Sequence, residues 1–491
     1  MLKPTLEKAK ELTGYSIIPV CREILSDFTT PIEVLKKLRR VSRHVYILES
    51  VENQEKWGRY TFLGYNPKLE LTCTNGELTV KDVVTGKTET SHQAHPAAYI
   101  KELMKKYTSP KLEGFPSFTG GLVGYFSYDY IKYSEPTLNL DAKDEERFKD
   151  VDLMLFDKVI AFDNIHQKIV LITNISTSDL ENEYAKAEAD LAEMEQLIRN
   201  GKPADIPHGK LRSEFRRLFS EEQYCAMVEK AKHYIYEGDI FQVVLSNRLD
   251  ADFDGSLLDA YRVLRATNPS PYMFFFSSDD MEIAGASPET LVKLENGTLH
   301  TFPLAGTRPR GATDEEDKRL ETELLHDEKE LSEHNMLVDL GRNDIGKVSK
   351  FGSVEVEKYM CIERYSHVMH IGSTVRGEIL GSKTPPGPLG VHSFPAGTLS
   401  GAPKLRACEI INELENNKRG VYGGAVGYID FRGNLDTCIA IRLAFKKNGR
   451  VFVRSGAGIV ADSVPVNEYN ECINKAKAVM NALTIAQEEN I

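Results

Sequence analysis

The dipeptide Asn-Gly at 75–76, 296–297 and 448–449 constrains this chain more than any other feature. Both residue types tolerate positive φ, which a two-residue hairpin demands, and each pair lies between β-rich runs. Leu291-Val-Lys-Leu precedes the second pair and Thr298-Leu-His-Thr-Phe follows it. Hairpins build antiparallel ladders, which counts against a doubly wound parallel sheet. Helices are equally legible. Leu180, Tyr184, Ala187, Leu191, Met194 and Ile198 recur at helical spacing and predict a helix over roughly 178–199. Ser220 with Gln223 reads as a capping box ahead of Tyr224, Met227, Val228, Ala231 and Ile235. One long helix is expected from near Asp314 to Leu340. No repeat at solenoid periods occurs. The class implied is α+β, antiparallel sheets flanked by helices.

Length and charge narrow the possibilities further. A chain of 491 residues has room for two to four domains, and Asn200-Gly-Lys-Pro-Ala-Asp-Ile-Pro-His-Gly209 reads as a linker. It divides an N-terminal domain, residues 1–205, from a longer C-terminal one, residues 206–491. The net charge of −12 repels phosphate backbones, so nucleic acid is not the expected partner, and an anionic substrate needs a locally basic pocket. Seven cysteines are scattered with no C-x-x-C, against a disulfide framework and a zinc site alike. No apolar run is long enough to span a bilayer, and the charged first residues carry no signal core. A cytoplasmic, membrane-free protein is the expectation.

Two acidic helical segments stand out. Asp327-Glu-Lys-Glu-Leu-Ser-Glu-His334 sets Glu330, Glu333 and Leu337 on one face, and Asn467-Glu-Tyr-Asn-Glu471 carries a similar i, i+3 pair, Glu468 and Glu471. A solvated charge run is one reading. The other is a Mg²⁺ site, because apolar residues follow Glu333 at once and Mg²⁺ takes few protein carboxylates plus waters. Gly-rich turns at Ala305-Gly-Thr307, Ala396 to Gly401, Tyr422-Gly-Gly424 and Ser455-Gly-Ala-Gly458 are singly turns and jointly a means of holding carboxylates on backbone N–H groups. None is a Walker loop. Arg442 closes an apolar run, as an edge residue or as partner to a buried anion. His367 and His370 read as core histidines, without a zinc pattern around them.

Assembled in order, the strings Ile240-Phe-Gln-Val-Val-Leu-Ser246, Gly285-Ala-Ser-Pro-Glu289, Pro303 to Gly311, Lys329-Glu-Leu-Ser-Glu-His334, Gly397-Thr-Leu-Ser-Gly-Ala-Pro-Lys404, Tyr422 to Gly427, Asp436-Thr-Cys-Ile-Ala-Ile-Arg442, Gly456 to Val460 and Glu471-Cys-Ile-Asn-Lys-Ala476 resemble the chorismate-utilising enzymes. Within that family the chain is most similar to the anthranilate synthase component I branch, with Tyr46-Ile-Leu-Glu-Ser50 and Gly120 to Tyr125 as looser N-terminal matches. The resemblance implies a β-sandwich with flanking helices and a Mg²⁺-dependent lyase. Chorismate and ammonia would become anthranilate and pyruvate, opening tryptophan biosynthesis.

It also implies roles. Glu333 and Glu471 match the Mg²⁺ ligands, with Glu330 and Glu468 as outer or water-mediated partners, and the ion acts as a Lewis acid on the ring. Glu289 matches the general acid for the departing C4 hydroxyl, which a desolvated site would keep protonated. His370 matches the histidine linked to pyruvate elimination, with Thr398 beside it. Gly306, Thr307, Tyr422, Arg442, Gly456, Ala457, Gly458 and Lys475 match the substrate-binding set. Ser50, Pro271, Tyr272 and Met273 match the tryptophan (feedback inhibitor) site. Gln242 stands where water-adding relatives carry a lysine base, and Ala305 where relatives making 4-amino-4-deoxychorismate carry a nucleophilic lysine. No amidotransferase elbow is present, so a glutamine amidotransferase subunit is the implied partner in a hetero-oligomer. Arrest at 2-amino-2-deoxyisochorismate, or a non-catalytic chorismate or tryptophan sensor, are the alternatives; the sensor predicts losses at Glu289, Glu333 or Glu471, all present here.

Overall fold

The computed structural model describes residues 2–50, 58–364, 368–380 and 395–488; His367 lies outside them. Each Asn-Gly pair turns a hairpin, joining strands Leu69–Thr74 to Glu77–Asp82, Thr290–Glu295 to Thr298–Thr301, and Leu443–Lys447 to Arg450–Ile459. The asparagines sit at φ 50°, 51° and 51° and the glycines at 83°, 86° and 70°, as a two-residue turn with both centres left-handed requires.

The strands form two antiparallel sheets, of 13 and 12 strands among the described residues. Alternation along each strand sorts side chains into layers. In Val45–Glu49 of the larger sheet, Tyr46 points toward the other sheet while Val45 and Ile47 point away, toward helices Pro31–Val41 and Leu180–Asn200. Leu122 and Phe126 of the smaller sheet likewise face helix Pro96–Lys105, while Val123 and Tyr125 face inward. Between the sheets, Tyr46, Phe62, Phe274, Phe276 and Phe452 meet Val123, Tyr125, Met154 and Phe156 in an aromatic-rich core. The result is the expected α+β sandwich with helices on both outer faces.

Helix Glu221–Tyr236 carries the capping box with both reciprocal bonds made. The single helix expected over 314–340 is instead two, Asp314–Leu325 and Glu328–Gly346. The cause is Asp327, whose carboxylate accepts from the N–H groups of Lys329 and Glu330 and starts a new helix. Residues 202–209 contain no helix or strand, yet Ala204 N donates to Lys36 O and Ser256 N to Pro207 O. Both sheets run across this segment: Val45–Glu49 pairs with Tyr272–Ser277, and Gly121–Phe126 with Ala425–Asp430.

Candidate active site

Two crossings from one sheet to the other build the centre of the site. Strand Glu282–Ser287 of the larger sheet continues through Pro288 and Glu289 into Thr290–Glu295 of the smaller one. Strand Leu435–Ile439 of the smaller sheet returns through Arg442 into Leu443–Lys447 of the larger. The crossings are stitched together: Ile439 N donates to Glu289 O (2.9 Å), Ser287 Oγ to Ile439 O (2.7 Å) and Ala286 N to Arg442 O (3.1 Å). Glu289 is part-buried, and loss of water pushes its carboxyl up to about 7, against the lowering effects of Thr398, Arg442 and Lys475. Thr398 Oγ1 donates to Glu289 Oε1 at 3.0 Å. A carboxyl poised near neutrality can deliver a proton. Arg442 takes the left-handed backbone, φ 51°, and has no ion-pair partner among the described residues.

A bulge supplies the next wall. Register shifts between Ala305 and Thr307 where strand Leu304–Pro309 pairs with Val368–Glu378, and Gly306 sits at φ +65°. An added Cβ there would lie 2.9 Å from Leu324 Cδ1 and 3.3 Å from Glu330 Oε2, so this left-handed position favours glycine. The bulge turns the Gly306 carbonyl to His370 Nδ1 at 2.9 Å, with Thr307 Oγ1 at 3.1 Å. A carbonyl only accepts, so Nδ1 carries the proton and Nε2 keeps its lone pair in the neutral ring. Burial lowers the His370 pKa and favours that neutral form.

Opposite lies strand Arg450–Ile459, where Gly456 and Gly458 pair with Ser246 and Val244. A Cβ on Gly458 would meet Gln242 Nε2 at 2.6 Å, so Gln242 lies directly against this wall. Tyr422 is buried, and its hydroxyl borders Gly456. Lys475 Nζ reaches Gly456 O (3.2 Å) and Glu471 Oε1 (2.7 Å). Helices Glu328–Gly346 and Pro465–Glu488 bring their acids toward each other. Glu333 is held above the usual carboxylate range by desolvation, then by the charges of Glu330 and Glu471; Glu468 is raised by desolvation and by Glu471. Glu333 and Glu471 are therefore electrostatic neighbours at the rim of the cleft. Oxygen donors that repel one another suit a hard divalent cation.

Sequence reasoning missed what holds these walls. Buried Glu415 bridges Arg419 (2.6 Å) and Arg454 (2.7 Å), while Arg419 also donates to Leu399 O and Val244 O and stacks on Tyr128 and Tyr422. Arginine beside Gly420 reads locally as a turn, and its partners are remote in sequence.

Comparison with known proteins fits this geometry. The chorismate binding enzyme family matches residues 44–481. Anthranilate synthase component 1 of Acetivibrio thermocellus is 46% identical, over 99% of this chain and 100% of the relative. The solved anthranilate synthase component I of Streptococcus pneumoniae is 38% identical, covers 93% of this chain and 98% of its own, and superposes with a TM-score of 0.75. This chain belongs to the chorismate-binding enzyme family. The menaquinone-specific isochorismate synthase of Escherichia coli shares the fold, with a TM-score of 0.68 at 18% identity over 97% of this chain and 98% of its own.

In this chorismate-binding enzyme a second cavity, of about 460 Å³, has a lining that does not include Glu289. Ser50, Pro271, Tyr272 and Met273 all line it, as do Phe115, Tyr428 and Asp436, which sequence reasoning did not single out. Tyr272 Oη donates to Asp436 Oδ1 at 2.8 Å and lies 3.0 Å from Thr290 Oγ1, next in sequence to Glu289. Both halves of the chain contribute to this wall, because the strand before Ser50 pairs with Tyr272–Ser277.

Proposed function

We propose that this enzyme is the chorismate-aminating component of an anthranilate synthase, a lyase yielding anthranilate and pyruvate at the start of tryptophan biosynthesis. The observation that carries this reading is Glu289, a carboxyl raised to about 7 and hydrogen-bonded to Thr398 between crossings that also present Arg442. Arg442, Tyr422, Thr307, Lys475 and the backbone of Gly456 to Gly458 hold the two carboxylates of chorismate. Glu289 gives its proton to the C4 hydroxyl, which leaves as water while ammonia bonds to C2 and both ring double bonds shift by one position. The new ammonium returns a proton to Glu289. Removal of the C2 proton and cleavage of the C3–O bond then release enolpyruvate, which becomes pyruvate, and aromatise the ring. His370, neutral with Nε2 as acceptor, assists this elimination. Glu333 and Glu471 would hold Mg²⁺, backed by Glu330 and Glu468. Bound there, the ion supplies Lewis-acid polarisation of the substrate carboxylate.

Gln242 and Ala305 support ammonia over water or lysine as the nucleophile, since neither side chain serves as base or nucleophile. Ammonia comes from a glutamine amidotransferase partner, the second component that the name of the relatives implies. The cavity at Ser50, Pro271, Tyr272 and Met273 binds tryptophan as feedback inhibitor. Residues 1–205 serve as the regulatory domain beside a catalytic domain of residues 206–491. No helix among the described residues is long and apolar enough to cross a membrane, consistent with a cytoplasmic enzyme. Purified chain with chorismate, Mg²⁺ and ammonium should develop anthranilate fluorescence, and glutamine alone should not replace ammonium. Accumulated isochorismate, aminodeoxychorismate or 2-amino-2-deoxyisochorismate would refute the assignment.

A further inference from the structure

His44, in the link between helix Pro31–Val41 and strand Val45–Glu49, Glu70, in strand Leu69–Thr74, and Asp279, in the turn after strand Tyr272–Ser277, have ligand atoms within 4.8 Å of one another. His44 and Glu70 are only 6% and 5% exposed. His44 Nε2 stands 3.2 Å from Asp279 Oδ1 and 3.5 Å from Glu70 Oε2, but neither contact has hydrogen-bond geometry, and Nε2 is a buried polar atom without a hydrogen-bond partner. Glu70 Oε1 is likewise unsatisfied. Buried polar atoms are rarely left so.

We infer that these three side chains form a binding site for a divalent transition metal of the Zn²⁺ class, distinct from the acidic rim of the active site. Zinc takes imidazole nitrogen and carboxylate oxygen at ~2.0–2.2 Å, and neighbouring ligands of a tetrahedron with such bonds stand about 3.3–3.5 Å apart. The separations from His44 match that edge before any metal enters. Lys81 holds the other oxygen of Asp279, Oδ2, so that Oδ1 is turned toward His44. Such a bond behind a ligand orients it for a metal. Lys149 is 3.0 Å from Asp152 and 2.8 Å from Asp280, and 4.0 Å from Glu70 Oε1. With Lys447 it leaves three lysines against the four carboxylates Glu70, Asp152, Asp279 and Asp280, a balance that favours a dication. Asp279, 41% exposed at its side chain, gives an entry path and leaves a fourth position to water.

The position has a consequence for the fold. His44 immediately precedes strand Val45–Glu49, which Ser50 follows, and Asp279 comes just after strand Tyr272–Ser277. These strands pair, with Val45 opposite Ser277 and Glu49 opposite Met273. A metal here would pin them to the smaller sheet, through Glu70, at the end opposite the second cavity.

The test uses full-length chain stripped with a chelator, in millimolar Mg²⁺ to occupy the acidic rim. Titration with Co²⁺ should give one saturating visible band of tetrahedral N/O type, displaced by one equivalent of Zn²⁺. His44→Asn and, independently, the more exposed Asp279→Asn should each weaken binding beyond the ~10–100-fold that loss of an outer partner costs. Glu333→Gln and Cys361→Ser should leave it unchanged. Absence of a saturable band refutes the site, as does binding untouched by both His44→Asn and Asp279→Asn. A band removed by Cys361→Ser assigns the metal to that exposed thiol and also refutes it.

Discussion

Replacing Glu289 by glutamine separates two consequences of desolvating one carboxyl. In the folded chain burial lifts this group from 4.5 to about 7. Each pH unit of that rise is worth about 1.4 kcal/mol, so above pH 7 ionised Glu289 costs the native state about 3 kcal/mol relative to its protonated form. The sign follows from linkage. A carboxyl whose folded pKa is raised favours the native state while protonated, and that contribution erodes as pH climbs from the unfolded value through the folded one. Glutamine is nearly isosteric, keeps an oxygen to accept from Thr398, and never ionises. Glu289→Gln should therefore be about as stable as the parent at pH 4.5 and more stable at pH 8, by up to about 3 kcal/mol. Most of the difference should open between pH 4.5 and 7. The same variant loses the proton donor, so kcat should fall by roughly 10²–10⁴. The parent's kcat/KM, measured at a fixed concentration of unprotonated ammonia, should decline above pH 7. Denaturation midpoints of both proteins across that range, without chorismate or metal, are the assay. An equal advantage for glutamine at pH 4.5 and pH 8 would refute the argument that burial sets this carboxyl.

Glu333→Gln and Glu471→Gln should each raise the Mg²⁺ concentration for half-maximal activity by at least ~10-fold, read from metal titrations of anthranilate formation. Gly306→Ala forces a Cβ into a left-handed position 2.9 Å from Leu324 Cδ1; a loss of about 1–3 kcal/mol in stability is expected, with a lower kcat as the carbonyl bonded to His370 shifts. Arg454→Met leaves buried Glu415 with Arg419 as its remaining arginine partner and should cost about 3–5 kcal/mol, seen as a lowered unfolding midpoint. Ser50→Ala should weaken tryptophan inhibition by about 10-fold, the order of one hydrogen bond to a charged ligand, in inhibition curves at fixed chorismate.

What the sequence revealed divides along the reach of the forces involved. An Asn-Gly turn is a local conformational preference, so all three hairpins were legible, as were the amphipathic helix over 180–200 and the capping box at Ser220. The break at Asp327 was local too, but the carboxylate that caps a helix also reads as one more member of an acidic run. Non-local pairing was hidden. Nothing in Val45–Glu49 announces Tyr272–Ser277 as its neighbour, and so the sheets that run through both halves of the chain could not be read from the linker near 205. The candidate site could be proposed only through family strings, because the crossings between sheets bring together residues that are far apart in sequence. Those crossings explain the centre's properties. Where a strand leaves one sheet for the other, the ladder is interrupted, and Glu289 stands there in a pocket shared with Thr398, Ile439 and helix Glu328–Gly346. Arg442 accepts a left-handed backbone at its crossing, a conformation that disfavours arginine by about 1 kcal/mol. The cation at this bend and the carboxyl of Glu289 act on each other electrostatically, and this pairing of a strained backbone with charge is invisible in the string Ile439-Ala-Ile-Arg442.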